Sequence, residues 1–138
     1  WSSDVCSSDL DRWTIPLFRT KTGRRHVVPL TQEACKVRDL ALARSPNGHL
    51  FAAYKGKPIS DAAMAKHMKE RGYEARPHGF RATFRTWAEE QTDAPFEVKE
   101  SILGHAVDSG VVGAYQRSDR LAKRRTLLEA WASYLTHA

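Results

Sequence analysis

Cysteine is scarce. Cys6 and Cys35 are the two in 138 residues, far apart and outside any Cys-x-x-Cys pattern. That excludes a disulfide framework and a cysteine-based zinc site, and it fits a reducing cytoplasm. No apolar run approaches the ~18–20 residues a membrane span needs, and no charged start with a hydrophobic core marks a secretory signal. A soluble protein without a membrane partner is expected. No spaced acidic cluster suited to Mg²⁺ is evident, so neither metal nor cofactor is expected. An initiator Met is also missing. Trp1 to Leu10 repeats Ser-Ser-Asp without helical or strand period, and residues 1–10 are set aside as a non-native or disordered leader.

What is present suits one compact domain over residues 11–138. The composition is 41% hydrophobic and 28% charged. A net charge of +6 and a pI near 9.6 point toward a polyanionic partner, because a basic surface releases counterions on meeting phosphates.

Arg12 to Leu30 alternates as a hairpin should, with Trp13, Ile15 and Leu17 on one face, a turn at Thr22-Gly23, and a return strand from His26 that Pro29 closes. Thr31 is a candidate cap for a helix to about Ala43, stopped by Ser45-Pro46-Asn47-Gly48. Ser60 is placed to cap a second helix, Asp61 to about Arg71, closed by Gly72. Lys66, His67, Lys69 and Arg71 make that helix basic. It could lie against DNA through Lys66 and Lys69, or simply face water.

A third helix follows Pro77, whose fixed φ and missing N–H suit a first turn. In Pro77-His78-Gly79-Phe80-Arg81 and onward, Phe80, Phe84 and Trp87 share one stripe at 100° per residue, while His78, Arg81 and Arg85 share another. Arg85 joins the candidate DNA contacts. Thr92-Asp93-Ala94-Pro95 breaks the chain before a helix through Phe96, Val98 and Ile102 that ends at Gly104. Ser118 is placed to cap a long last helix with Leu121, Leu128, Trp131 and Leu135 on one stripe.

His78-x-x-Arg81, then Leu103-Gly104-His105, then Tyr115 in Ala114-Tyr115-Gln116-Arg117-Ser118-Asp119 form an ordered set. It resembles the catalytic half of the tyrosine recombinase (phage integrase) family, and the ending looks most like prophage and genomic-island integrases. The resemblance implies a mainly helical catalytic domain with a small antiparallel β element, truncated on its amino-terminal side. It implies that Lys21, in Arg19-Thr20-Lys21-Thr22-Gly23, reaches the active site from the hairpin. It also implies double-stranded DNA as substrate, a homotetramer on DNA, and a carboxy-terminal segment that docks on a neighbouring protomer. The family's second active-site arginine belongs to a helix ahead of that hairpin, and nothing before Arg12 supplies it. Cleavage by this chain alone is therefore expected to be weak or nil.

The residue types suit metal-independent phosphoryl transfer. A phenol such as Tyr115 can attack phosphorus and hold it as a covalent phosphotyrosine. The planar fork of Arg81 can grip two phosphate oxygens. His105 can hydrogen-bond the same group, His78 can shuttle a proton, and Lys21 can protonate the leaving oxygen. Singly, each has a bland alternative: a core or loop histidine, a packed aromatic, a solvated lysine. The competing function is a non-catalytic helical DNA-binding module. A metal-dependent nuclease would need carboxylate partners that Asp108 and Asp119 lack in the sequence.

Overall fold

The computed structural model describes residues 11–21, 23–45, 49–105 and 117–137, with the backbone alone for Tyr54 and residues 117–119. Residues 1–10 and Tyr115 lie outside the described residues. Mainly helical, the chain opens on two strands, β1 (Arg12–Ile15) and β2 (His26–Pro29), and continues with α1 (Gln32–Ala43), α2 (Ala63–Glu70), α3 (Gly79–Gln91), α4 (Phe96–Ile102) and α5 (Arg117–His137). No described helix is long and apolar enough to cross a membrane.

The strands pair antiparallel, Trp13 opposite Val28 and Ile15 opposite His26. Arg12 faces Pro29, and the Leu30 N–H adds one bond, 2.8 Å to the Asp11 carbonyl. Leu17 does not join the Trp13–Ile15 face. Pro16 supplies no ladder N–H, and the chain turns into a 3₁₀ turn at Leu17–Arg19 that leaves Leu17 exposed.

Thr31 caps α1 as expected, its hydroxyl accepting from the Ala34 N–H at 3.1 Å. Ser60 does not cap α2 through its side chain. A turn through Asp61 and Ala62 intervenes, the Ser60 carbonyl accepts from the Ala63 N–H at 3.0 Å, and α2 starts at Ala63. Gly72 closes it at a φ of +80°. Ser118 falls inside α5, which already begins at Arg117, and not ahead of its first residue as expected.

The core sits where α3, α4 and α5 meet. Phe84, Trp87 and Ala88 from α3, Val98 from α4 and Leu127 from α5 are buried together, with Ile102, Leu103, Leu128 and Trp131 packed around them. Trp131 meets Phe84 edge-on at 5.7 Å and Trp87 at 4.9 Å between ring centroids. Such aromatic pairs each add about 0.5–1.5 kcal/mol beyond area burial. Phe80 and Leu135 lie on the expected stripes but one turn beyond this cluster, and both are more than half exposed.

Two arginines fasten α5 to the hairpin. Arg124, buried, donates from Nη2 to the Val27 carbonyl at 2.5 Å. Arg125 donates to the Leu30 carbonyl at 3.2 Å and to the Asp11 carboxylate at 2.6 Å. Burial pushes the Arg124 guanidinium below its ordinary value, and its Nε has no partner among the described residues.

Candidate active site

The entry to α3 fixes where its side chains leave the helix. Gly79 N–H donates to the Arg76 carbonyl at 2.9 Å, and Arg81 N–H to the His78 carbonyl at 3.2 Å. Arg81 thereby projects toward the end of α4. Its Nη2 donates to the Leu103 carbonyl at 2.5 Å and lies 3.0 Å from His105 Nε2.

The segment that presents His105 is a Schellman cap. His105 N–H reaches the Glu100 carbonyl at 3.1 Å, Gly104 N–H reaches the Ser101 carbonyl at 3.2 Å, and Gly104 takes a φ of +71°. A residue with a Cβ would be strained there, which is why Leu-Gly-His carries glycine at its centre. The carbonyl that ends α4 and the imidazole two residues later are thus gathered on one guanidinium.

Behind His105 stands a chain of charges. Nδ1 of His105 lies 2.5 Å from Glu100 Oε2. Glu100 Oε1 accepts from Arg85 Nε at 2.7 Å, and Arg85 Nη1 also donates to Glu89. Lys99, its stem buried, donates to Glu89 at 3.0 Å, and the Arg85 guanidinium lies over the Phe96 ring at 5.4 Å. The His105 hydrogen bond, opposed by burial and helped by Arg85, holds the Glu100 carboxyl below its usual range. Arg85 and then Lys99 do the same for Glu89. The carboxylates of Glu89 and then Glu100 raise Arg85. Arg85, expected on the DNA side, therefore has two of its nitrogens engaged by carboxylates of its own chain.

His26 was not singled out from the sequence, yet it borders this group. A Cβ built on Gly104 would lie 3.9 Å from His26 Nε2. Burial first, then the charges of Arg124 and Arg81, lower its imidazole from the ordinary value. Glu100 was missed as well, although an acid five residues before His105, on the last turn of a helix closed by glycine, is a usable signal. For Arg124 no such signal exists, since a mid-helix arginine reads as solvent-facing.

The remaining candidates stand apart from the Arg81–His105 pair. His78 is exposed, and its ring makes no hydrogen bond to a described residue. Lys21 is exposed at a turn organised by Thr20, whose hydroxyl donates to the Arg24 carbonyl at 2.7 Å while Gly23 takes a φ of +60°. Lys66 and Lys69 project from α2, Lys66 within 3.8 Å of Glu70. Among the described residues no three His, Cys, Asp or Glu side chains converge as metal ligands. A shallow groove lined by Thr83, Thr86, Trp87, Glu90 and Tyr134 contains none of the candidate residues.

A guanidinium and an imidazole are thus brought within 3.0 Å of one another across 24 residues, and both groups are of the type that donates hydrogen bonds to anions. A family model described as the phage integrase family matches residues 3–121 of this sequence. The chain belongs to the phage integrase family. That match spans Lys21, His78, Arg81, His105 and Tyr115. Prophage integrase IntZ of Escherichia coli K12 is 32% identical over 86% of the chain. The integrase of Shigella phage Sf6 is 32% identical over 88%, and prophage integrase IntA of E. coli K12 is 28% identical over 98%. The chain covers 30%, 33% and 34% of these three relatives, about a third of their length. No solved structure matches.

Proposed function

We propose that this integrase chain forms the carboxy-terminal part of a catalytic domain that cuts and rejoins double-stranded DNA at specific sites. Tyr115 attacks the scissile phosphorus, the bond to the 5′ oxygen breaks, and a 3′-phosphotyrosine conserves the ester for religation. The phenol gives up its proton, with His78 as the shuttle, and the departing 5′ oxygen receives one from Lys21. Arg81 and His105 hold the non-bridging oxygens, where charge grows as phosphorus becomes five-coordinate. These side chains meet the charge without a metal.

The observation that carries this reading is the Arg81–His105 contact at 3.0 Å, because the two residues that must share one phosphate already share one another. Lys66 and Lys69 on α2 contribute phosphate contacts that hold the duplex without reading sequence. The whole protein acts as a tetramer on DNA, the last turns of α5 docking on a neighbour through the exposed Tyr134 and Leu135.

A nicked suicide substrate that traps the covalent adduct tests the proposal. Tyr115→Phe should abolish the adduct while DNA binding persists, and Arg81→Ala should reduce it by several orders of magnitude. Adduct that persists in Tyr115→Phe would refute the assignment of the nucleophile.

A further inference from the structure

We propose that Glu100 is a positioning residue that fixes the tautomer and orientation of His105, with Arg85 holding Glu100 in place. A guanidinium nitrogen can only donate. Where Arg81 Nη2 lies 3.0 Å from His105 Nε2, that ring nitrogen must accept, so in the neutral ring the proton sits on Nδ1. Nδ1 in turn lies 2.5 Å from Glu100 Oε2, and an ionised carboxylate only accepts. The two contacts demand the same tautomer. Donor meets acceptor along the whole path from Arg81 through His105 and Glu100 to Arg85.

Glu100 holds His105 twice over. Its carbonyl takes the His105 N–H at 3.1 Å and its carboxylate takes the ring, so backbone and side chain are fixed from a single residue on the last turn of α4. The other carboxylate oxygen is occupied by Arg85 Nε at 2.7 Å, which keeps Glu100 from rotating out to solvent. Glu100 is half-buried, unlike Glu89, which is largely exposed. With Nδ1 committed to Glu100, Nε2 is the one ring atom left to face the anion seat. It accepts from Arg81 in the free chain and, once protonated, donates to a phosphate oxygen.

This role rests on the proposed phosphate seat, but its test needs no DNA and no catalysis. Long-range proton–nitrogen correlation spectra of the labelled chain report which imidazole nitrogen carries the proton. In the native chain His105 should show the Nδ1–H pattern. Because Arg81 also favours that tautomer, the role of Glu100 is read with that donor removed: Arg81→Met should keep the Nδ1–H pattern, and Glu100→Leu added to it should shift the ring to the Nε2–H pattern that a free imidazole prefers, with the signals of Trp87 and Trp131 unmoved as a control for folding. Glu100→Gln, whose amide oxygen can still accept, should retain the native pattern in large part. Arg85→Met, which leaves Glu100 unbraced, should give a mixture in the same Arg81→Met background. An Nε2–H pattern in the native chain would overturn the proposal whatever the variants do, as would an unchanged pattern in the folded double variant Arg81→Met with Glu100→Leu. A native Nδ1–H pattern alongside failed adduct formation in the suicide assay would instead sink the proposed function and leave the role of Glu100 intact.

Discussion

The α3–α4–α5 unit and the α1–α2 segment differ in what holds them. In the first, two tryptophans and a phenylalanine interlock over Val98 and Leu127, and the Arg81–His105–Glu100 group is built on the rim of that core. In the second, Val37, Leu40 and Leu42 of α1 are each at least half exposed, and Met68 is the one buried apolar residue that α1 and α2 contribute. A transition-state site needs atoms held to fractions of an ångström, which close-packed aromatics provide. Contacts to DNA phosphates need charge and reach more than rigidity, and exposed lysines on a lightly packed helix suffice.

The comparison breaks if both regions respond alike to truncation. Trp87→Ala should cost about 3–5 kcal/mol in denaturant unfolding, as other buried aromatics do. Leu40→Ala, at a position 60% exposed, should stay within about 0.5 kcal/mol. Equal losses would show that α1 is as tightly packed as α3. Arg124→Ala removes the buried bond to the Val27 carbonyl and the packed stem, and should cost about 1–3 kcal/mol. It should also speed hydrogen exchange in β2 more than in α3. Uniform acceleration along the chain would contradict the idea that Arg124 serves mainly to tie the hairpin to α5.

The pH dependence sharpens the contrast, because the shifted groups border the core. Glu100 is held below the usual carboxylate range, so its contribution is complete above the unfolded value and is lost as pH falls through the folded one. His26 is lowered from 6.5, so below that value the unfolded chain binds more protons and stability declines toward acid. Unfolding midpoints measured from about pH 8 down to about pH 4 should therefore fall. His26→Gln should flatten the part of the slope just below 6.5, and Glu100→Gln the part in the carboxylate range. A midpoint that rises toward acid would contradict both assignments. The smallest effect belongs to α2. Lys66→Gln with Lys69→Gln should leave stability unchanged, yet lower the salt slope of DNA binding by about 0.9 per lost phosphate contact.

Much of this was legible in the sequence, and the failures share a cause. Hairpin pairing, the Thr31 cap, the break at Thr92–Pro95 and the glycine that turns His105 outward are local, written in a few adjacent residues. His78-x-x-Arg81 with Leu103-Gly104-His105 was legible through its resemblance to a family, and the structure brings Arg81 and His105 together. What stayed hidden depends on partners distant in the chain. Stripe membership could not tell that Phe80 and Leu135 project past the ends of the packed cluster. Nor could it tell that Arg124 would be buried against a strand 97 residues away, or that Arg85 would meet Glu100 and Glu89. Lys21, His78 and Tyr115 remain tied to the site by the resemblance alone, so their assignment stands as proposal.

The most direct test of the phosphate seat is a titration of the labelled chain with a short DNA duplex, followed through arginine guanidinium and histidine ring signals. Arg81 and His105 should move together as Arg81 exchanges the Leu103 carbonyl and His105 Nε2 for phosphate oxygens, while Arg85 on its two carboxylates stays nearly still. If DNA binds and shifts Lys66 and Lys69 but leaves Arg81 and His105 unmoved, the pair is not a phosphate seat, and the chain is a DNA-binding module without the catalytic role argued for it.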